Sequence, residues 1–211
     1  MNEADDEARF YFSFRSPYAW LAAESLSDAF AGLPVSFRLI PVFPAAENFP
    51  NDPARIPNKI RHLVKDVARL AGERGITVKF PQQTDPVDWA VSHAAFVGAQ
   101  RLEQGTAFML QAFRARFVHG CDLGDDKVIA DAAARAGLDP ERILEFAHDA
   151  GLQNEVRGNF QRGIEEDRIF GVPTFIYRGD IFWGHDRMRF VRQAIEHTVA
   201  SSASSGRDGL G

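Results

Sequence analysis

The residues best suited to chemistry near the start of the chain are Ser16 and Pro17, within the run FSFRSPYAWLA. A strand-like aromatic segment ends at Phe14 and helical spacing follows Pro17, so Ser16 occupies a helix N-cap position. A helix N-terminus presents unpaired N–H groups and about half a positive charge, which lowers the pKa of a thiol placed there. The segment SPYA contains no cysteine, so a thiolate here would have to come from a ligand. On the residues alone, an ordinary helix cap is the simpler interpretation.

A second group of residues lies near the other end of the chain, in the run VPTFIYRGDIFWGHDRM at residues 172–188. Pro173 stands at the first position of a predicted strand, where proline is permitted. The RGD triplet at 178–180 predicts a hairpin turn between two short strands. Gly184 then predicts another turn, and Asp186 predicts the N-cap of a last helix, whose unpaired N–H groups suit an anionic ligand.

Composition argues against several classes of partner. The 211 residues carry a net charge of −5 without any Lys/Arg-rich run, which disfavours nucleic acid. No apolar run approaches the roughly 18 residues of a membrane span, and the acidic start MNEADDEARF is not a secretory signal. The six histidines lack metal-ligand spacing, and the single cysteine, Cys121, is expected to be a small buried hydrophobe. We therefore expect a cytoplasmic protein without a bound metal or a disulfide.

The elements that must position these residues follow a simple order. Strand, helix and strand signals fill the first 43 residues, which predicts a parallel strand pair. A helical region without clear strand signals follows, and two strands and a helix end the chain. This order assigns 8–50 and 169–200 to one discontinuous domain, 51–168 to an inserted helical domain and 201–211 to a disordered tail. A ligand cleft is expected between the two lobes.

This order, together with the runs FYFSFRSPYAWLA and FGVPTFIYRGDIFWGHDRM, resembles the 2-hydroxychromene-2-carboxylate isomerases. These belong to the DsbA-like superfamily and are related to the kappa-class glutathione transferases. The resemblance covers residues 9–199 and implies an α/β, thioredoxin-like (DsbA-type) fold with a large inserted all-helical domain. It also implies a glutathione-dependent enzyme in which Ser16 is catalytic and contacts the glutathione sulfur.

The same resemblance implies two further glutathione contacts. Thioredoxin-like folds place a cis-proline beside the active helix, so Val172 and Pro173 are expected to form that unit. The backbone N–H and C=O of Val172 would then pair with the tripeptide as in strand addition. Asn58, in the run RIPNKI, matches an asparagine that the isomerases use on glutathione; by itself it is only a cap candidate.

At the second turn, the resemblance implies that Gly184, His185 and Asp186 bind the γ-glutamyl end of glutathione. Asp186 would accept hydrogen bonds from the ammonium group. His185 departs from the small polar residue that is frequent in the relatives, which leaves its side-chain contact open. It could instead bind a carboxylate or titrate near neutral pH.

The implied reaction is the cis–trans isomerisation of an aromatic 2-oxo acid in aromatic catabolism. It converts 2-hydroxychromene-2-carboxylate-type compounds to trans-o-hydroxybenzylidenepyruvate in a homodimeric enzyme. Lys59 and Arg61 could supply positive charge for the anionic substrate, although exposed basic residues are usually only solvated. Phe43, Phe49 and Trp89 could wall an aromatic pocket, although ordinary core packing explains each at least as well.

Two other functions stay open at this point. A kappa-like glutathione transferase would use the same thiolate, and the run SPYAW fits both groups of enzymes. A non-catalytic peptide-binding module of DsbA type would have lost its cysteines. Thiol–disulfide exchange is disfavoured, because the C-x-x-C motif is missing.

Overall fold

The computed structural model describes residues 7–43, 56–81 and 88–205. Within these ranges the chain forms strands and helices in the predicted order, β-α-β, then helices, then β-β-α. The strands are β1 (Glu7–Phe12), β2 (Ser36–Pro41), β3 (Thr174–Tyr177) and β4 (Asp180–Trp183). The helices are α1 (Pro17–Ala29), α2 (Pro57–Gly72), α3 (Trp89–Arg101), α4 (Gly105–Phe117), α5 (Asp126–Arg135), α6 (Pro140–Ala147), α7 (Ala150–Asp167) and α8 (Met188–Ser205).

The four strands form one mixed sheet in the order β2-β1-β3-β4. β1 pairs in parallel with β2 across the α1 crossover and antiparallel with β3. The predicted hairpin joins β3 to β4, and its turn residues Arg178 and Gly179 have φ of 50° and 84°. Positive φ at both central positions matches the twist of the flanking strands. The central strand β1 therefore ends beside β3, the strand that follows Pro173.

One hydrophobic core joins the sheet to the helices. The phenylalanines at the end of β1 meet α3 and α4: the Phe12 ring lies 4.9 Å from Phe96, and the Phe14 ring lies 5.0 Å from Phe113, centroid to centroid. Edge-to-face contacts of this kind contribute beyond their buried area. The helical region is thus packed directly beneath the loop that carries Ser16, and the division into two domains stays a prediction.

A partly buried ion pair also ties α1 to the helical region. Arg114 on α4 donates from Nε and Nη2 to the two carboxylate oxygens of Glu24, at 2.9 and 2.7 Å. The indole of Trp20 donates to the same carboxylate at 3.0 Å. Because the two parallel bonds fix the guanidinium in one plane, this pair holds α1 in a defined orientation against α4.

The end of the chain differs from the prediction in two ways. Asp186 is not the N-cap of the last helix; it lies inside a short 3₁₀ turn, His185–Arg187, for which Gly184 is the N-cap residue. The last helix begins at Met188 and continues to Ser205, five residues into the segment assigned to a tail, while 206–211 lie outside the described residues. In the described part of the chain, no helix has the length and apolar character that crossing a membrane requires.

Candidate functional site

Ser16 caps α1 as predicted. Its backbone is extended, with φ −91° and ψ 115°, and its hydroxyl oxygen accepts the N–H of Ala19 at 3.2 Å. The N–H of Ser16 donates to the carbonyl of Ser13 at 2.9 Å, and Pro17 has no N–H to offer. Within the described residues, this leaves the Tyr18 N–H as the first-turn donor for a ligand. Because the cap uses the Ser16 oxygen as an acceptor, its hydroxyl hydrogen is available to donate.

The Val172–Pro173 peptide bond is cis, as the resemblance implies. The carbonyls on either side are satisfied within the protein: Gly171 accepts the Thr174 hydroxyl at 2.7 Å, and Pro173 accepts the Gly184 N–H at 2.9 Å. Among the described residues, the N–H and C=O of Val172 have no hydrogen-bond partner. A half-buried backbone pair of this kind can pair with an extended peptide.

The turn after β4 lies next to the cis-proline through the Pro173–Gly184 hydrogen bond. Gly184 has φ 113° and ψ 148°, a conformation open essentially only to glycine. Asp186 is exposed and forms an ion pair with Arg187 at 3.0 Å, so its carboxylate stays accessible to a cationic group.

His185 is half-buried. Burial lowers its pKa below the ordinary 6.5, Arg74 adds to this effect, and Asp186 and Asp66 oppose it. The imidazole is therefore neutral at pH 7.

Tyr18 connects the start of α1 to the 184–187 turn. Its ring stacks on the His185 ring at 5.4 Å between centroids and 15° between planes. Its hydroxyl donates to a carboxylate oxygen of Asp66, on α2, at 2.8 Å. Burial and this hydrogen bond raise the pKa of Tyr18. One side chain therefore joins the start of α1, the 184–187 turn and the middle of α2.

Asn58 is exposed in the first turn of α2. The α2 residue hydrogen-bonded to α1 is Asp66, about 12 Å further along the helix at 1.5 Å per residue. The structure thus links the start of α1 to the 184–187 turn through Tyr18 and His185, and that turn to Pro173 through Gly184. Asn58 is connected to them only through its helix.

The residues considered for the substrate pocket have different surroundings. Trp89 is 8% exposed, and its ring lies edge-on to His93, with centroids 6.2 Å apart. Phe43 is half-buried against the same imidazole at 5.1 Å. Lys59 and Arg61 are exposed on α2, and Phe49 lies outside the described residues. Cys121 is half-buried rather than fully buried as predicted, because it follows the end of α4 in a loop near the surface.

Sequence reasoning missed Tyr18, Asp66 and His93. Tyr18 lay within the quoted motif, so its position one residue after Pro17 was a usable signal. Asp66 is an acidic residue on a polar helix face, and His93 is an isolated histidine in an apolar helix. Their roles depend on contacts across 48 and 79 residues of chain, which no local pattern predicts.

Comparison with known proteins identifies the family and the fold. The family profile described as "DSBA-like thioredoxin domain" matches residues 8–196. A protein of Sphingobium xenophagum named 2-hydroxychromene-2-carboxylate isomerase is 29% identical over 195 residues, covering 88% of this chain and 96% of that protein.

Solved structures show the same fold. A structure of 2-hydroxychromene-2-carboxylate isomerase superposes with a TM-score of 0.82 at 22% identity, over 94% of this chain and 98% of that one. The cytosolic disulfide reductase DsbM from Pseudomonas aeruginosa, solved with GSH, gives a TM-score of 0.64 at 18% identity, over 90% and 99%. The fold and the family expected from the sequence are both confirmed, and the chain belongs to the DSBA-like thioredoxin domain family.

Proposed function

We propose that this protein is a glutathione-dependent isomerase acting on 2-hydroxychromene-2-carboxylate-type compounds. The similarity to proteins named for that activity supports an isomerase within the family. One observation carries the glutathione part: the Ser16 hydroxyl accepts at the cap and keeps its hydrogen for a ligand, while no cysteine stands at that helix start. An anion-binding site without its own thiol suits a thiol supplied by a cofactor.

The residues present fit glutathione. The Val172 N–H and C=O, which lack partners among the described residues, suit the peptide backbone of a tripeptide. The exposed carboxylate of Asp186 suits an ammonium group, and in the 184–187 turn the N–H groups of His185 and Asp186, which donate to no described residue, suit a carboxylate. Asn58 would contact the ligand from the first turn of α2. That DsbM was solved with GSH is consistent with this assignment.

The chemistry that glutathione supplies when bound is reversible thiolate addition to a conjugated carbon, which lets a former double bond rotate. The protein's part is electrostatic and positional. The Ser16 hydroxyl and the Tyr18 N–H stabilise a negative charge at the start of α1, where the helix dipole adds to them. Val172 and Asp186 would fix the orientation of the ligand, so that this charge is presented to the substrate in one geometry. Trp89 and Phe43 both contact His93 beneath the loop that carries Ser16, and they would line the aromatic pocket for the substrate.

Three measurements on the purified protein test the proposal. Calorimetric titration with glutathione should give saturable binding at or below millimolar concentration. A spectrophotometric assay with 2-hydroxychromene-2-carboxylate should then show isomerisation that requires glutathione. Conjugation of a chlorinated dinitroaromatic should be slow by comparison.

The two other candidate functions predict different results. Fast conjugation without isomerisation would identify a kappa-like transferase, and no glutathione binding would identify a peptide-binding module. The proposal includes a homodimer in the cytoplasm; light scattering at working concentration should give twice the 23.5 kDa chain mass.

A further inference from the structure

His93 is a fully buried histidine beneath the loop that carries Ser16. It lies on α3 and is surrounded by the rings of Phe12, Phe14, Phe43 and Trp89, at centroid distances of 6.4, 5.1, 5.1 and 6.2 Å. A buried polar ring in such surroundings needs a partner for each nitrogen, since a buried nitrogen without one destabilises the fold. The structure provides both partners.

The first partner fixes the tautomer. His93 Nδ1 lies 2.6 Å from the carbonyl oxygen of Trp89, one helical turn earlier. A carbonyl can only accept, so Nδ1 carries the hydrogen and donates it. In the neutral ring, Nε2 then holds a lone pair and can only accept.

The second partner is in the Ser16 loop. The backbone N–H of Phe14 donates to His93 Nε2 at 3.4 Å, a long hydrogen bond in a fully buried setting. The next two N–H groups of the loop are bonded locally: Arg15 donates to the Ser13 hydroxyl at 3.2 Å, and Ser16 donates to the Ser13 carbonyl at 2.9 Å. Of these three consecutive donors, Phe14 therefore supplies the one that ties the loop to another element of the fold.

The neutral state of the ring is also explained by the surroundings. Burial lowers the pKa of His93 to about 4, against the opposing effects of the Trp89 carbonyl and the charge of Asp88. At neutral pH, Nε2 remains an acceptor. A protonated ring would instead point a second N–H at the Phe14 N–H, and the contact would become repulsive.

We propose that His93 is a positioning residue, which as the neutral Nδ1–H tautomer holds the Phe14 N–H and thereby fixes the Ser16 hydroxyl at the start of α1. The inference deepens the proposed function and rests on it for the role of Ser16. His93 is fully buried, and we assign it no contact with ligand or substrate. It acts on the reaction only through the short backbone segment from Phe14 to Ser16.

Two matched variants separate positioning from packing. In His93→Gln the amide oxygen can reach the place of Nε2 and accept from Phe14, whereas in His93→Asn the shorter amide can donate to Trp89 but cannot reach Phe14. We expect kcat to fall about tenfold in His93→Asn and to stay within about twofold in His93→Gln, with little change in the KM for substrate in either. Equal losses in the two variants at equal stability would overturn the inference.

A measurement on the unaltered protein keeps the inference testable if a variant fails to fold or the proposed function fails. In ¹⁵N-labelled protein without glutathione, the His93 imidazole shifts should report the Nδ1–H tautomer. A through-hydrogen-bond coupling should join its Nε2 to the Phe14 amide nitrogen. An Nε2–H tautomer would overturn the inference whatever the activity, whereas the expected spectrum without any isomerase activity would contradict only the proposed function.

Discussion

The candidate site contains the start of α1 and the start of the 184–187 turn, which meet through the stacked rings of Tyr18 and His185 and are built differently. The start of α1 is capped by the Ser16 side chain, and its loop is held from below by His93. The start of the 3₁₀ turn has no side-chain cap; it depends on the backbone conformation of Gly184 and on one hydrogen bond from Gly184 to Pro173. The first is supported by a buried core, and the second lies mostly at the surface.

This difference indicates different tasks. A position that must stabilise a developing charge benefits from donors that cannot move, because donors already in place need no reorganisation during the reaction. A position that only holds one end of a flexible tripeptide tolerates more movement. Tyr18 links the two, since its ring contacts His185 and its hydroxyl is bound to Asp66.

The largest expected effect comes from removing the Ser16 hydroxyl at the start of α1. Ser16→Ala should lower turnover by about 10- to 1,000-fold, because one donor to the anion is lost. It should lower the free energy of unfolding by only about 1 kcal/mol, the usual cost of an N-cap. Isomerase kinetics and urea unfolding measure the two effects. Asp125→Ala, which removes the cap of α5, is the matched control and should cost similar stability with unchanged turnover. Unchanged turnover in Ser16→Ala would reduce Ser16 to a cap.

Lowering the pH tests how His93 supports the loop at the start of α1. Because the folded pKa of His93, about 4, lies below the unfolded 6.5, its contribution is present above pH 6.5 and is lost as the pH falls towards 4. The unfolding free energy should therefore fall by up to roughly 3 kcal/mol across this window. Subtracting the curve of His93→Phe, in which this group is absent, isolates the effect from the titration of carboxylates. Parallel curves for the two proteins would contradict the buried neutral state.

The 184–187 turn should be most sensitive to substitution of Gly184. A Cβ on Gly184 would lie 2.7 Å from a carboxylate oxygen of Asp186, in a backbone conformation that other residues avoid. We expect Gly184→Ala to cost roughly 1–3 kcal/mol of stability and to weaken glutathione binding. Gly179→Ala is the control, because φ is also positive there but nothing lies within 4 Å of the added carbon. Thermal unfolding and calorimetry should show a smaller loss in the control and normal binding; equal effects on binding would remove the 184–187 turn from the site.

The smallest expected effect comes from changing Tyr18, which links the start of α1 to the 184–187 turn. Tyr18→Phe keeps the ring on His185 but removes the hydrogen bond to Asp66, at a cost of about 1 kcal/mol. Glutathione affinity should fall by a few fold, because α2 loses one of its contacts with α1. Tyr11→Phe removes a comparable hydroxyl bond to Asp167 elsewhere in the sheet, and it should destabilise the protein without affecting affinity. If both variants bind glutathione equally well, Tyr18 is only structural.

Local patterns predicted the elements well where the signal is carried by neighbouring residues. The start of α1 at Pro17 and the hairpin at Arg178–Gly179 were correct, since caps and turns depend on a few adjacent side chains. The start of the last helix was wrong, because Asp186 was expected to act as a cap. The positive φ of Gly184 sets up a 3₁₀ turn instead, and the helix begins two residues later.

The sequence by itself determined the order of strands and helices, the cap at Ser16 and the absence of a cysteine beside it, because these depend on residue type and short spacing. Tertiary structure alone decided that Tyr18 faces His185 and Asp66, and that His93 lies beneath Phe14. Those contacts depend on how α2 and α3 pack against the sheet and α1. The protonation states of the two histidines follow from the same packing, since burial and neighbouring charges, rather than residue type, set their pKa values.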